Sequence, residues 1–224
     1  MRVYHGSKEK IEQPEYGKGK PHNDYGIGFY CTQDIEMAKE WGCGEEYDGF
    51  ANIYDIDIEG LRILNLNQSE FTILHWLTIL LKNRTFRLTN PIAKDAKEYL
   101  IEHFSVKTDG YDIIIGYRAD DSYFSFAEDF LNNAISVKKL AKAMRLGNLG
   151  QQFVLHSPKA FDRIQFVGAE FAPRSKYYLL KSKRDQEARA EYLHSDRTPS
   201  YDSTELYMLD LMRQGVKADD TRLR

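Results

Sequence analysis

His5, Gly6 and Ser7 stand in a row behind the apolar Val3 and Tyr4, and Gly28, Phe29 and Tyr30 follow an aromatic, glycine-rich turn that begins Asp24-Tyr25-Gly26. These residue types suit one kind of chemistry. A glycine admits a ligand to the backbone, a histidine bonds a hydroxyl, and an aromatic side chain stacks on a flat ring. Gln151 and Gln152 precede the apolar run Phe153-Val154-Leu155, which places a hydrogen-bonding amide at the start of a strand. Arg118 adds a planar guanidinium suited to a pyrophosphate. Other chemistries lack their parts. There is no phosphate-cradling P-loop, no Gly-x-Ser-x-Gly elbow, and no metal-ligand spacing among the six histidines and two cysteines.

Two stretches, Val3-Tyr4-His5-Gly6-Ser7 and Asp24 to Thr32 running on to Ala38 and Trp41, together resemble the NAD-binding half of the ADP-ribosyltransferases of the diphtheria-toxin and poly(ADP-ribose)-polymerase-like branch. Within that group the chain most closely resembles a bacterial family known as DUF3990, over roughly Arg2 to Phe166. The resemblance implies an α+β fold with a split antiparallel sheet and flanking helices. It also implies NAD as a substrate and no metal. His5 would bond a ribose hydroxyl, the Gly6 backbone would grip the nicotinamide amide, and Ser7 and Gly28 would line the site. Tyr30 would form one wall of the nicotinamide pocket, with Trp41 or Tyr25 as the other. The catalytic set is then His5, Tyr30 and Gln152.

In that fold the reacting ribose is held by a residue opening a late strand, usually a glutamate. Here Gln152 holds the place. An amide accepts a hydrogen bond but brings no charge. It is expected to stabilise a ribosyl cation less well and to favour single transfer over polymer elongation. A glutamate at this position should keep NAD binding and raise NAD hydrolysis. Arg118 has two readings: an ion pair with Asp120 or Asp121 closing a loop, or a contact to the NAD pyrophosphate or the acceptor. The two helical segments between Arg118 and Gly150 are candidates for acceptor recognition.

As function, the resemblance implies a cytoplasmic bacterial mono-ADP-ribosyltransferase. Its acceptor would be a macromolecule, protein, DNA or RNA, and its role that of a toxin or antiviral defence effector held by an antitoxin. Two rivals remain open. One is a degenerate fold that binds a partner, with Gln152 as the lesion. The other is an RNA 2′-phosphotransferase, which needs several arginines about a phosphate.

The elements that must position these residues follow from periodicity. Alternation predicts a strand over Ala51–Ile58 and the apolar run Ile113-Ile114-Ile115 one over Gly110–Tyr117, and Gly28–Thr32, Gln151–His156 and Ile164–Val167 also read as strands. Helical spacing predicts Asp34–Trp41, then a helix from Asn67, capped by Asn67 and Glu70, to about Asn83. Further helices follow with a stripe of Ile92, Ala96, Tyr99, Leu100 and Phe104, then over Tyr123–Leu131 and Val137–Leu146. The catalytic unit is expected to span residues 1–171. Residues 172–224 form a charged helical extension, broken at Thr198-Pro199-Ser200, whose stripe of Leu206, Met208, Leu209 and Met212 either docks or binds a partner.

A chain of 224 residues with 42% hydrophobic and 29% charged residues is long enough to bury a sizeable core. A net charge of −3 gives no global attraction to nucleic acid or anionic membrane. Lys8, Lys10, Lys18 and Lys20 form either a local basic patch or a solvated loop. Cys31 and Cys43 are expected to be reduced, buried thiols. The apolar stretch Phe71–Leu81, interrupted by Thr72, His75 and Thr78, is too short to span a bilayer, so no membrane contact is expected.

Overall fold

A computed structural model describes residues 1–119, 121–196 and 204–223, apart from the side chains of residues 121, 122, 148, 195 and 196. Strand β1 (Arg2–Ser7) pairs antiparallel with β3 (Gly49–Ile56), and β3 with β7 (Ile164–Ala172). In β3 the alternation holds as expected: Tyr54 and Ile56 are buried while Ile53 and Asp55 are half-exposed. The second sheet runs β2 (Phe29–Cys31), β6 (Gln151–Leu155), β5 (Ile113–Tyr117), β4 (Ile63–Asn65). Its pairs are antiparallel except β4 with β5. The chain is therefore α+β, with two mostly antiparallel sheets.

The sheets touch where Tyr4 and Thr32 exchange backbone hydrogen bonds of 2.7 and 2.8 Å. Beyond that bridge β1 and β2 part. Helix α1 (Ile35–Gly42) lies against the first sheet. Its start is set by Asp34, whose carboxylate accepts the Glu36 and Met37 N–H groups at 2.9 and 3.2 Å.

Helices α2 (Ile73–Asn83), α3 (Pro91–His103), α4 (Asp121–Leu131) and α5 (Val137–Ala143) build the main core with Ile114 and Val154 of the second sheet. α2 is buried at every position from Leu74 to Leu81, as an all-round apolar helix must be. It starts later than expected. Asn67 folds into a turn on the Asn65 side chain, and the Thr72 N–H donates to His75 Nδ1 at 2.9 Å, so the reciprocal cap belongs to Thr72 and His75 rather than Asn67 and Glu70. In α3, Asn90 caps Ala93 N–H at 2.7 Å and Pro91 takes the first position. Its inner face is Ala93, Ala96 and Leu100, with Ile92 exposed.

After the short α6 (Pro158–Phe161), β7 runs five residues past its expected end at Val167, to Ala172. Helices α7 (Arg174–Asp196) and α8 (Met208–Gln214) follow. Ala188, Tyr192, Met208, Leu211 and Val216 enter the same core as α2–α5, so the amphipathic stripe docks. The expected break at Thr198-Pro199-Ser200 lies outside the described residues. Both cysteines are buried free thiols. Among the described residues no helix is long and apolar enough to cross a membrane.

Candidate functional site

Where β1 and β2 diverge they leave a cleft of about 1000 Å³. His5, Gly6 and Ser7 reach it from β1, Tyr30 from β2 and Gly28 from the turn before it. Trp41 comes from the end of α1, Arg118 from the segment after β5 and Gln152 from β6. These eight residues thus line one cavity, although they come from separated parts of the chain.

His5 Nδ1 lies 2.7 Å from the Tyr30 carbonyl. A carbonyl only accepts, so this contact places the proton on Nδ1 and leaves Nε2 as the acceptor of a neutral ring. Burial pushes the imidazole pKa down, against the Tyr30 carbonyl bond, which raises it. The ring stacks on Phe29 with centroids 4.2 Å apart. Histidine and strand β2 are thereby locked together.

Gly6 has two duties. A Cβ there would lie 2.0 Å from the Ala38 carbonyl oxygen, so α1 can pack on β1 only at a glycine. Its backbone is also turned to the cleft. Tyr4 points its amide and carbonyl at Thr32, and alternation along an antiparallel strand turns those of Gly6 to the same edge, past the end of that pairing. Gly28 is required by packing as well, since a Cβ would lie 2.6 Å from Val154 Cγ1 on β6. The Ser7 hydroxyl is committed to the loop: it donates to the Glu9 carbonyl at 2.6 Å and accepts from Asn52 Nδ2 at 2.8 Å.

Tyr30 offers the cleft its ring rather than its hydroxyl. The hydroxyl donates to the Gly26 carbonyl at 2.6 Å and accepts the Tyr25 N–H at 3.1 Å, which closes the turn preceding β2. Burial pushes its pKa further up, so it is no proton donor of use near neutrality. Tyr25 is not a second wall. It is buried in the core and donates to the Tyr117 carbonyl at 2.7 Å. Trp41 does line the cleft, but the Arg118 guanidinium sits 3.9 Å over its ring, and Trp41 Nε1 is buried without a partner among the described residues. Asp120 and the side chain of Asp121, the ion-pair candidates for Arg118, lie outside the described residues.

Gln152 is 4% exposed and Gln151 is exposed, as alternation along β6 requires. Gln152 Nε2 donates to Asp24 Oδ2 at 3.0 Å, and Gln152 Oε1 is buried without a partner among the described residues. Asp24, 6% exposed, is the site residue the motifs do not reveal. Its Oδ2 also accepts the Ala119 N–H at 3.0 Å, and Arg84 Nε lies 3.8 Å from Oδ1. Burial pushes the Asp24 carboxyl up from its usual range, opposed by the Ala119 N–H, Arg84, Arg118 and the Gln152 amide. The one local signal for it was an acid heading an otherwise aromatic and glycine-rich turn.

The rim carries Lys8, Lys10, Lys18 and Lys20, interleaved with Glu9, Glu12 and Glu15. Lys18 pairs with Glu15 at 2.6 Å, and Lys8 and Lys10 lie over the rings of Tyr47 and Phe50 at 5.3 and 5.4 Å. The four lysines therefore gather at one mouth, with acids among them. An arrangement of this kind can bind an elongated polar ligand: a backbone edge and an aromatic wall inside, acceptors at His5 Nε2 and Gln152 Oε1, and cations outside.

No curated protein and no solved structure matches the chain. A family model described as "Protein of unknown function (DUF3990)" matches residues 1–166, the segment that contributes every residue of the cleft, and the chain belongs to that family.

Proposed function

We propose that the chain is an NAD-dependent mono-ADP-ribosyltransferase acting on a macromolecular acceptor. The observation that supports it most is Gln152 Oε1, which has no partner among the described residues and is buried in the same cleft as the His5 ring and the open Gly6 backbone edge. A buried acceptor with no partner is costly unless a ligand completes it. In the proposed reaction the bond between ribose C1′ and the nicotinamide nitrogen breaks, and its electron pair leaves with neutral nicotinamide. An acceptor oxygen or nitrogen forms the new bond to C1′ and loses its proton. Positive charge builds on the ribose meanwhile, so orientation and nearby negative dipoles supply most of the rate. Neutral His5 accepts one ribose hydroxyl, Gln152 Oε1 accepts another, and the amide and carbonyl of Gly6 match the two ends of a carboxamide.

Nicotinamide release from NAD by the full chain, with and without added protein, RNA or DNA, tests this. Gln152→Ala should lower kcat/KM by the equivalent of about 2–4 kcal/mol when read well below its Tm, which the lost bond to Asp24 lowers. If the parent binds no NAD and releases no nicotinamide with any acceptor, the partner-binding reading replaces it. That second reading has a specific support, the Arg118 guanidinium covering one face of Trp41. A 2′-phosphotransferase is less well served: of the cleft's two arginines, Arg84 already donates to the His22 carbonyl at 3.1 Å and faces Asp24.

A further inference from the structure

A glutamine side chain has two nearly isosteric ends, one donor and one acceptor, and half a turn about its last torsion exchanges them. Which end faces a ligand must be decided by something outside the glutamine. In this cleft the decision falls to Asp24, because an ionised carboxylate accepts and never donates. Asp24 Oδ2 takes the Gln152 amino group at 3.0 Å, with the Ala119 N–H fixing the same oxygen at 3.0 Å and Arg84 3.8 Å from the other. The turned-over amide would set Gln152 Oε1 against a carboxylate oxygen. Asp24 also belongs to the turn that leads into β2, so it ties the turn bearing Tyr25 and Gly26 to the strand bearing Gln152.

We propose that Asp24 is the positioning residue of the site: it holds Gln152 with the acceptor end toward the substrate ribose, and it stands directly behind that amide as the negative charge a glutamine lacks. The inference rests on the ADP-ribosyl transfer reading given above. It changes what the substitution Gln152→Glu should do. The new carboxylate would meet Asp24 at hydrogen-bond distance, and two like charges that close share a proton, so the expected gain in hydrolysis disappears.

The test is a cycle on the full chain: the parent, Asp24→Asn, Gln152→Glu, and Asp24→Asn with Gln152→Glu. Nicotinamide release, NAD affinity by titration calorimetry and thermal stability are read on each. In Asp24→Asn the oxygen that keeps the Ala119 N–H is also the one that accepts the Gln152 amino group, so Gln152 keeps its orientation and only the negative charge behind it is lost. With no negative charge behind the amide as the ribose becomes cationic, turnover should fall on the order of 100-fold while NAD affinity changes less than about threefold. Gln152→Glu alone should fall at least about tenfold. In the double variant a single carboxylate remains, so the turn amide can give up the Ala119 N–H, set its oxygen toward Arg84 and donate its amino group to one oxygen of the carboxylate introduced on β6, whose other oxygen faces the cleft. Turnover should then return to within about tenfold of the parent. A merely structural Asp24 gives no such rescue.

Parent-like turnover in a folded Asp24→Asn, or a double variant as inactive as the single ones, overturns the proposal while NAD consumption by the parent leaves the functional reading standing. A parent that neither binds nor consumes NAD overturns both. A second readout needs no change at Asp24. The side-chain amide protons of Gln152, assigned by their loss in Gln152→Ala, should exchange slowly with solvent; fast exchange in the parent overturns the proposal even where Asp24→Asn does not fold.

Discussion

At the residue scale, His5 is the group whose protonation the site cannot tolerate. Its Nδ1 is spent on the Tyr30 carbonyl, so a second proton would go to Nε2 and remove the only acceptor the ring has to offer. Burial is the main cause that lowers its pKa in the fold. The unfolded chain therefore takes up the proton first. As pH falls through the ordinary imidazole value of about 6.5 toward the lowered one, the folded state loses stability, and below the lowered value the loss levels off. kcat/KM for NAD should show an acid limb that coincides with the imidazole titration of His5 followed by NMR. An acid limb unaffected by His5→Asn would assign it to another group. The residue scale also shows what the sequence could and could not disclose. Gly6 and Gly28 suggested close ligand approach, and both line the cleft, but their missing side chains are demanded by Ala38 and Val154. Tyr30 suggested a pocket wall, and its ring does line the cleft while its hydroxyl is tied into its own turn. Local motifs mark positions well. They do not say which atom of a side chain is free, because that depends on tertiary partners.

At the scale of elements, the cleft depends on α1 staying against β1 and on the loop before β6 staying in register. Arg184 of α7 holds both. Its Nε and second terminal nitrogen donate to Glu40 of α1 at 3.1 and 2.7 Å, and its first terminal nitrogen donates to the Gly147 carbonyl at 2.9 Å. The Glu40 side chain is 5% exposed. Arg184→Ala strands that carboxylate and should cost about 3 kcal/mol, a fall in Tm of roughly 6–12 °C for a domain of this size. Because no described residue of α7 lines the cleft, NAD turnover well below the new Tm should stay near the parent's; a dead but fully stable variant would contradict this account. A strand with clean alternation, β3, a short apolar run behind a polar start, β6, and helices with plain caps, such as α1 and α3, were legible in the sequence. The start of α2 was not, since Asn67-x-x-Glu70 and Thr72-x-x-His75 compete as caps and the winner is set by which turn the Asn65 side chain closes. The far half of β7 was hidden because Gly168, Ala169 and Glu170 on an edge strand carry no apolar alternation.

For the whole molecule, a boundary at residue 171 or 172 separates the residues that line the cleft from residues that hold its scaffold together. Met208, Leu211 and Val216 are almost wholly buried in the core that α2–α5 form beneath the second sheet, and the Tyr99 hydroxyl reaches the Leu211 carbonyl at 2.8 Å. Each such side chain contributes about 2 kcal/mol, against a net stability of roughly 5–15 kcal/mol for a whole domain. A chain shortened after Ala172 should therefore lose its near-ultraviolet circular dichroism and precipitate or bind a hydrophobic dye; a soluble, cooperatively melting product would show that the extension is dispensable. The same arrangement sets an order in time. Gln152, the last residue to line the cleft, leaves the ribosome well before Met208, and the core that steadies it closes only with the residues around Val216. Under the proposed function, a nascent chain is harmless to the cell translating it, because the catalyst is switched on by the arrival of a segment that never touches the substrate.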